Sequence, residues 1–302
     1  MDLLNNFDPD MPVKADAFTA NTYRDVYPAI DPTRPELSQA GKVVVITGGS
    51  RGLGRSGFAA SFARANAAAI VLLARSASNL AETETFIRDI NPATQLLSIP
   101  TDVADEASVG SAFEQIVARF GTPHVLVNSA GIVGPLKRID EADLASWWEP
   151  QEINIRGTFL VTSAFLKATG PTPSAPTTII NLTSGAGHSI PPGMSAYSIG
   201  KLAVSKFTAF LGEENPDITS VSLNPGIVPT DMGNSVPFMA PFLKDTAELG
   251  GGTAVWVASG DKKFLSGRFV SANWDVEELE KRKEEICRDD LLTICYRGKF
   301  GI

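Results

Sequence analysis

The stretch TGGSRGLG, residues 47–54, lies between two segments of opposite character. Before it, KVVVI (42–46) is a short β-branched run that predicts a buried strand. After it, Phe58 and Phe62 place apolar side chains four residues apart, as a helix that packs on a sheet requires. The sequence therefore predicts a strand, a glycine-rich turn and a helix in direct succession.

Glycine in such a turn has a physical role. It allows a sharp change of direction and a close approach of the backbone to a pyrophosphate, while the helix N-terminus offers free N–H groups to that anion. An ordinary glycine turn is the alternative, and the position at the first strand-to-helix crossover favours the phosphate site. The predicted dinucleotide-binding residues here are Gly48, Ser50, Arg51, Gly52, Leu53 and Gly54.

Five more apolar runs follow and alternate with helical patterns. They are AIVLLA (69–74), QLLSI (95–99), HVLV (124–127), TTIINL (177–182) and ITSVSL (218–223). Strands that are apolar on both faces and separated by helices indicate a parallel sheet covered on two sides. We therefore expect an α/β fold: a single doubly wound Rossmann-type domain at 41–272, with a parallel seven-stranded sheet flanked by helices.

Segments of different character flank this predicted domain. Residues 1–40 are rich in proline and lack periodicity, which predicts an irregular arm. Residues 273–302 form a tail in which EELEKRKEEI (277–286) predicts a charged helix exposed to solvent. Ion pairs four residues apart would support that helix, namely Glu277–Lys281 and Glu278–Arg282.

Composition and charge exclude several classes of function. The 302 residues carry a net charge of −8, which argues against a nucleic-acid partner. No uncharged apolar run approaches the about 18 residues that cross a membrane, and the acidic first residues do not resemble a secretory signal. We therefore expect a cytoplasmic protein. Two histidines and two cysteines, Cys287 and Cys295, predict reduced thiols and no metal site.

Six further motifs follow the turn in order. They are Asp102-Val103, NSAG (128–131), Asn154, Ser184, YSIGK (197–201) and NPG (224–226). Together with the T-G-x-x-x-G-x-G turn, this order resembles the short-chain dehydrogenase/reductase family, although NSAG departs from the family's N-N-A-G by one residue. The long arm and tail look similar to fungal members associated with secondary metabolism. The resemblance implies an oxidoreductase that uses a nicotinamide cofactor.

The end of the second strand bears on which nicotinamide cofactor binds. NAD sites of this architecture place an acidic residue there for the ribose 2′-hydroxyl, whereas this chain has Ala74 followed by Arg75. The guanidinium groups of Arg75 and Arg51 suit phosphate oxygens, so we expect NADP(H). The resemblance places Asp102 at the adenine and adds further cofactor-binding residues, Asn128, Lys201, Val228 and Thr230.

Tyr197 and Lys201 lie four residues apart in a predicted helix and share one face. A tyrosine hydroxyl ionises near pH 10, and a nearby lysine cation favours the phenolate and lowers that pKa. The pair therefore predicts general acid–base catalysis on a carbonyl or an alcohol. The resemblance makes Ser184 a hydrogen-bond donor to the substrate oxygen and Asn154 part of a proton relay to Lys201.

The substrate is predicted less sharply. Residues 231–250 resemble a mobile lid, whose Phe238, Met239 and Phe242 predict a small apolar or aromatic substrate; a packed surface helix is the alternative. His188 is predicted either to contact the substrate or to be an ordinary loop residue. The segment after residue 266 departs from the family's glycine-rich ending, so both a homodimer and a homotetramer stay open.

Three functions are compatible with these residues. The leading hypothesis is an NADPH-dependent oxidoreductase that interconverts a small ketone or aldehyde and an alcohol. The alternatives are a redox-neutral isomerase or cyclase on the same scaffold and a non-catalytic NADPH-binding regulator. Intact Ser184, Tyr197 and Lys201 favour the first, and net consumption of NADPH distinguishes it from the others.

Overall fold

The computed structural model describes residues 8–296 and is built around one parallel sheet of seven strands. The strands lie in the order β3-β2-β1-β4-β5-β6-β7. Their bounds are β1 Val43–Thr47, β2 Ala69–Ala74, β3 Gln95–Pro100, β4 Val125–Asn128, β5 Thr177–Leu182, β6 Ile218–Asn224 and β7 Arg268–Ser271. The expected doubly wound α/β fold is confirmed, and its strand order reverses between β1 and β4, where such sheets bind ligands.

Helices cover both faces of the sheet. They are α1 Met11–Ala15, α2 Ala60–Arg64, α3 Ala77–Ile90, α4 Glu106–Phe120, α5 Leu144–Gln151, α6 Thr158–Thr169, α7 Ser195–Glu214, α8 Asp231–Asn234, α9 Ala247–Val257, α10 Val276–Lys281 and α11 Lys283–Arg288. Two π-helical turns, Leu53–Ala59 and Glu152–Gly157, lead directly into α2 and α6. Short 3₁₀ turns complete the connections, including Gly185–Gly187 and Pro237–Phe242.

Side chains of β1 alternate between two hydrophobic cores. Val44 and Ile46 pack into the core on one face of the sheet, and Val43 and Val45 pack into the core on the other. Successive side chains of a strand point to opposite faces, so a strand buried on both sides must be apolar throughout. This constraint explains why the quoted apolar runs coincide with strands. The seventh strand is short, with no comparable run, and no pattern in the sequence marked it.

The arm contributes to one of these cores. Tyr27, Ile30 and Leu37 are buried in the same cluster as β1 and α9. The hydroxyl of Tyr27 donates to the carbonyl of Trp274 at 3.0 Å and accepts from the N–H of Val276 at 2.9 Å. The arm thus differs from a purely irregular segment, because it buries apolar side chains and connects to the chain beyond β7.

The tail corrects the prediction of one solvent-exposed helix at 277–286. Two short helices, α10 and α11, take its place, and they meet at Arg282. Val276, Leu279 and Ile286 are fully buried in the core that contains the arm. These three apolar positions, spaced by three and seven residues, form the buried face of an amphipathic pattern. In the sequence, the many charged residues between these three positions make the apolar spacing hard to recognise.

Ionic contacts of the tail also differ from the two predicted pairs. The carboxylate of Glu278 accepts hydrogen bonds from the backbone N–H groups of Ala20 and Asn21, at 2.7 and 3.0 Å. Arg282 pairs with Glu285 at 2.8 Å rather than with Glu278. The prediction of these pairs was wrong because the helix ends at Arg282 and the arm supplies better donors for Glu278.

The composition predicts no membrane span, no metal site and two reduced cysteines. The following findings hold for the described part of the chain, residues 8–296. None of its helices combines the length and apolar character needed to cross a membrane. Within the same range, no three His, Cys, Asp or Glu side chains are grouped so that they could hold a metal ion. Cys287 and Cys295 are exposed and are not joined in a disulfide.

Tyr27→Phe tests how strongly the arm is fixed to the chain beyond β7. The substitution keeps the ring but leaves the buried N–H of Val276 and the carbonyl of Trp274 without their partner. We expect the free energy of unfolding to fall by about 2 kcal/mol in urea denaturation. Tyr296→Phe, which removes an exposed hydroxyl, is the matched control and should leave it unchanged. Equal stabilities for the two variants would contradict this account of the arm.

Candidate active site

A cleft of about 460 Å³ opens where β1, β2 and β4 end, and the glycine-rich turn forms part of its wall; we call it the glycine-turn cleft. Gly48 and Gly52 have φ angles of 67° and 52°, a left-handed conformation that glycine adopts without strain. A Cβ on Gly54 would lie 2.1 Å from the carbonyl oxygen of Gly48, so no side chain fits there. The backbone is therefore shaped for close approach to a ligand.

Most residues predicted to bind the cofactor lie around this cleft. Those that line it are Gly48, Ser50, Arg51, Gly52, Leu53, Gly54, Arg75, Asp102, Lys201 and Thr230. The turn is aligned by Thr47, whose hydroxyl accepts hydrogen bonds from the N–H groups of Ser129 and Ala130, both at 3.0 Å. Sequence reasoning missed this role, although the threonine that opens the T-G-x-x-x-G-x-G turn marks it.

Two predicted cofactor residues lie elsewhere. Asn128 is buried, and its amide donates to the side chains of Thr162 and Asn181 at 2.9 and 2.8 Å. Its side chain therefore connects β4 to α6 and β5, and it does not line the glycine-turn cleft. Val228 lines a second cavity instead. The resemblance to the family alone did not distinguish a residue behind the cleft, such as Asn128, from one that lines it, such as Thr230.

The second cavity, also of about 460 Å³, is mostly apolar; we call it the apolar cavity. The three residues predicted to form a lid, Phe238, Met239 and Phe242, all line it. The lid segment forms α8 and a 3₁₀ turn rather than one continuous surface helix. Ser184 lines the same cavity, and Tyr197 lines both this cavity and the glycine-turn cleft.

Helix α7 brings Tyr197 and Lys201 to the junction of the two cavities. The ammonium nitrogen of Lys201 lies 5.7 Å from the centre of the Tyr197 ring and donates to the carbonyl of Leu182 at 2.8 Å. Lys201 is buried, and burial lowers its pKa to about 8. The lysine is thus held beside the tyrosine. Its lowered pKa allows it to release its proton close to neutral pH.

The pKa of Tyr197 departs from the predicted direction. Desolvation raises it, and the hydrogen bond with Ser184 lowers it by less. The expectation of a lowered pKa is therefore wrong for the protein alone, because burial disfavours the charged phenolate. Tyr197 therefore keeps its proton at neutral pH, as a general acid must.

Asn154 lies in the π-helical turn before α6 and clamps the loop after β4. Its side chain accepts from the N–H of Ile132 and donates to the carbonyl of the same residue, both at 2.9 Å. A Cβ on Gly131 would lie 2.9 Å from the Asn154 amide oxygen and 3.6 Å from the Lys201 nitrogen. Asn154 and Lys201 therefore approach each other across Gly131, while the proton relay stays a prediction.

His188 does not line either cavity. Its Nε2 lies 3.0 Å from a carboxylate oxygen of Asp16, and its ring meets the ring of Phe269 edge-on at 5.1 Å. The hydrogen bond to Asp16 raises the pKa of His188. Of its two predicted roles, the structure supports the loop residue and gives it a partner in the arm.

The chain is similar to known proteins over most of its length. A family model described as "short chain dehydrogenase" matches residues 42–239. The chain belongs to the short-chain dehydrogenase family. A short chain dehydrogenase of Monascus purpureus is 38% identical over 281 residues, which cover 91% of this chain and 94% of that protein. The family match therefore includes Ser184, Tyr197 and Lys201.

Solved structures agree in fold. A short chain dehydrogenase from Shigella flexneri complexed with NADP matches with a TM-score of 0.71 at 22% identity, over 79% of this chain and 99% of that one. Levodione reductase matches with a TM-score of 0.71 at 25% identity, over 78% and 96%. As a family member, the protein is an oxidoreductase that acts on small molecules with a nicotinamide cofactor.

Gly54→Ala tests whether the turn needs its close contact. The new Cβ would overlap the Gly48 carbonyl, so the turn must open, and we expect nicotinamide dinucleotide binding to weaken at least about tenfold. Gly110→Ala is the matched control, because a Cβ there meets nothing within 4 Å in α4 and should stabilise the helix by about 0.5–1 kcal/mol. Fluorescence titration measures binding and thermal unfolding measures stability. Undiminished binding in Gly54→Ala would contradict the assignment.

Proposed function

We propose that this protein is an NADPH-dependent oxidoreductase that interconverts a ketone or aldehyde and an alcohol, with a small, largely apolar or aromatic substrate. The observation that carries this proposal is the position of Tyr197, which lines both the glycine-turn cleft and the apolar cavity. A proton donor at the junction of a dinucleotide site and an apolar site is what carbonyl reduction requires.

Residues around the glycine-turn cleft fit NADPH. The backbone N–H groups of the turn suit its pyrophosphate, and Arg51 and Arg75 are exposed cations suited to a 2′-phosphate. The end of β2 carries no carboxylate to oppose that phosphate. Arg51 pairs with Asp231 at 3.1 Å, but both side chains are more than two-thirds exposed, so the pair is weak and leaves Arg51 available. Asp102 would face the adenine, and Thr230, which lines both cavities, the nicotinamide, with Val228 reaching it only from the side of the apolar cavity.

The proposed chemistry divides between the cofactor and three side chains. When bound, NADPH supplies the hydride to the carbonyl carbon. Tyr197 donates its proton to the carbonyl oxygen, and the hydroxyl of Ser184 donates a hydrogen bond to the same oxygen. Lys201 then returns a proton toward Tyr197 and is itself reprotonated by a relay that includes Asn154. Oxidation of the alcohol uses the same groups in reverse.

Tyr197→Phe tests the assignment of the general acid. Removal of the hydroxyl takes away the proton donor and keeps the ring, so we expect kcat to fall at least about 100-fold while the Kd for NADPH is unchanged. A panel of ketones and aldehydes is screened by NADPH absorbance, and net NADPH consumption also excludes a redox-neutral isomerase or a non-catalytic regulator. Tyr296→Phe, which lines neither cavity, should retain full activity. Wild-type turnover in Tyr197→Phe would refute the proposal.

The cofactor preference has its own test. We expect NADPH to bind at least about tenfold more tightly than NADH, a difference of about 1.4 kcal/mol. Arg75→Ala should weaken NADPH binding and leave NADH binding unchanged, because only NADPH carries the 2′-phosphate. Arg119→Ala removes an exposed arginine that does not line the cleft and serves as the control. Equal affinities of the wild type for both nucleotides in a fluorescence titration would overturn this part of the proposal.

The biological setting is part of the same proposal. Fungal relatives such as that of Monascus purpureus support a role in fungal secondary metabolism.

Association into a homodimer or homotetramer is supported by large apolar side chains that are about half-exposed on α5, α6 and α7: Trp148, Phe159, Ile199 and Phe210. Exposed apolar surface of this kind is typical of contacts between protein subunits.

A further inference from the structure

The N-terminal arm forms one side of the apolar cavity. Met11, Pro12, Val13 and Ala15 of α1 and the following Asp16 all line it, together with the lid residues and Ser184. These residues precede the part of the chain that the family model matches, which begins at residue 42. The motifs shared with the family therefore do not specify this wall, and its side chains are candidates for selecting the substrate.

The arm is held in this position by ion pairs and a hydrogen bond. Arg24 pairs with Asp10 at 2.6 Å, just before α1, and also with Asp245, which is 1% exposed. The carbonyl of Asp16 accepts a hydrogen bond from the indole of Trp274 at 2.7 Å. Since both ends of α1 are tied to the folded domain, Asp16 has a fixed position relative to the catalytic loop.

Asp16 is chemically distinct from its neighbours. Among the described residues that line the apolar cavity, it alone carries a charged side chain. Its Oδ1 is 3.0 Å from His188, whereas no described protein group donates to its Oδ2. That Oδ2 lies 2.9 Å from the point that a Cβ on Gly185 would occupy, one residue after Ser184. An acceptor without a donor thus lies in an apolar cavity close to the catalytic serine.

We propose that Asp16 is a specificity-determining residue whose Oδ2 accepts a hydrogen bond from a hydroxyl group of the substrate. The substrate class is then a neutral, largely apolar carbonyl compound that bears a hydroxyl group away from the reacting carbon. A hydrogen bond to a charged acceptor is stronger than a neutral one, so its presence discriminates between substrates. This inference rests on the proposed carbonyl reduction and extends it to the substrate.

The test compares matched bicyclic ketones: tetralone, its ring-hydroxylated isomers and their methyl ethers. An ether keeps the oxygen and adds bulk but cannot donate. In the wild type we expect kcat/KM for at least one hydroxytetralone to exceed that of its ether by about tenfold or more. In Asp16→Ala this ratio should fall to about one, mainly through KM for the hydroxytetralone, while turnover of tetralone and the Kd for NADPH are retained.

Two further variants guard against a purely structural effect. Lys14→Ala removes another charge from α1, one that is largely exposed and does not line the cavity, and it should keep the wild-type ratio. Asp16→Asn keeps the shape and removes the charge, so the ratio should fall part-way even if Asp16→Ala is unstable.

The outcomes separate this inference from the proposed function. An unchanged ratio in both Asp16 variants, or no preference of the wild type for any hydroxytetralone over its ether, overturns the role of Asp16 and leaves carbonyl reduction standing. If the wild type consumes no NADPH with these ketones or with the wider carbonyl panel, the proposed function itself fails. Thermal unfolding of each variant shows whether the fold is retained.

Discussion

The contact between Gly54 and the carbonyl of Gly48 is the constraint on which the rest of the structure depends. A Cβ at residue 54 would lie 2.1 Å from that oxygen, so the helix that follows β1 can begin this close to the strand only with glycine. The turn lines the glycine-turn cleft at the reversal of strand order, where sheets of this kind bind ligands. Every later part of the site is positioned relative to this turn.

The arm and tail extend the family fold in a coordinated way. Tyr27 and Ile30 enter the core that also buries Leu279 and Ile286, so the two chain ends stabilise each other against β1 and α9. The same arm carries α1 to the apolar cavity, and Arg24 links it to Asp245. The stability of the arm and tail and the shape of the apolar cavity are consequently coupled.

Electrostatics at the junction of the cavities favour proton donation. Burial raises the pKa of Tyr197 and lowers that of Lys201 to about 8, so the lysine becomes the stronger acid of the two. A lysine that releases its proton more readily than the tyrosine can return a proton to the tyrosine, and such perturbed pairs are typical of catalytic sites. Asn154 adds rigidity, because it fixes the loop after β4 that lies beside the lysine.

The sequence by itself determined the fold class, the glycine-rich turn and the tyrosine–lysine pair, because each is a local pattern: a strand apolar on both faces, a turn that only glycine allows, and side chains one helical turn apart. Tertiary structure alone decided that Asn128 supports the sheet instead of lining the cleft. It also decided that α10 and α11 bury one apolar face and that burial raises the pKa of Tyr197. It also brought Asp16 and His188 together across 172 residues. Contacts between such distant segments depend on how the chain closes around its core, and no spacing within the sequence records them.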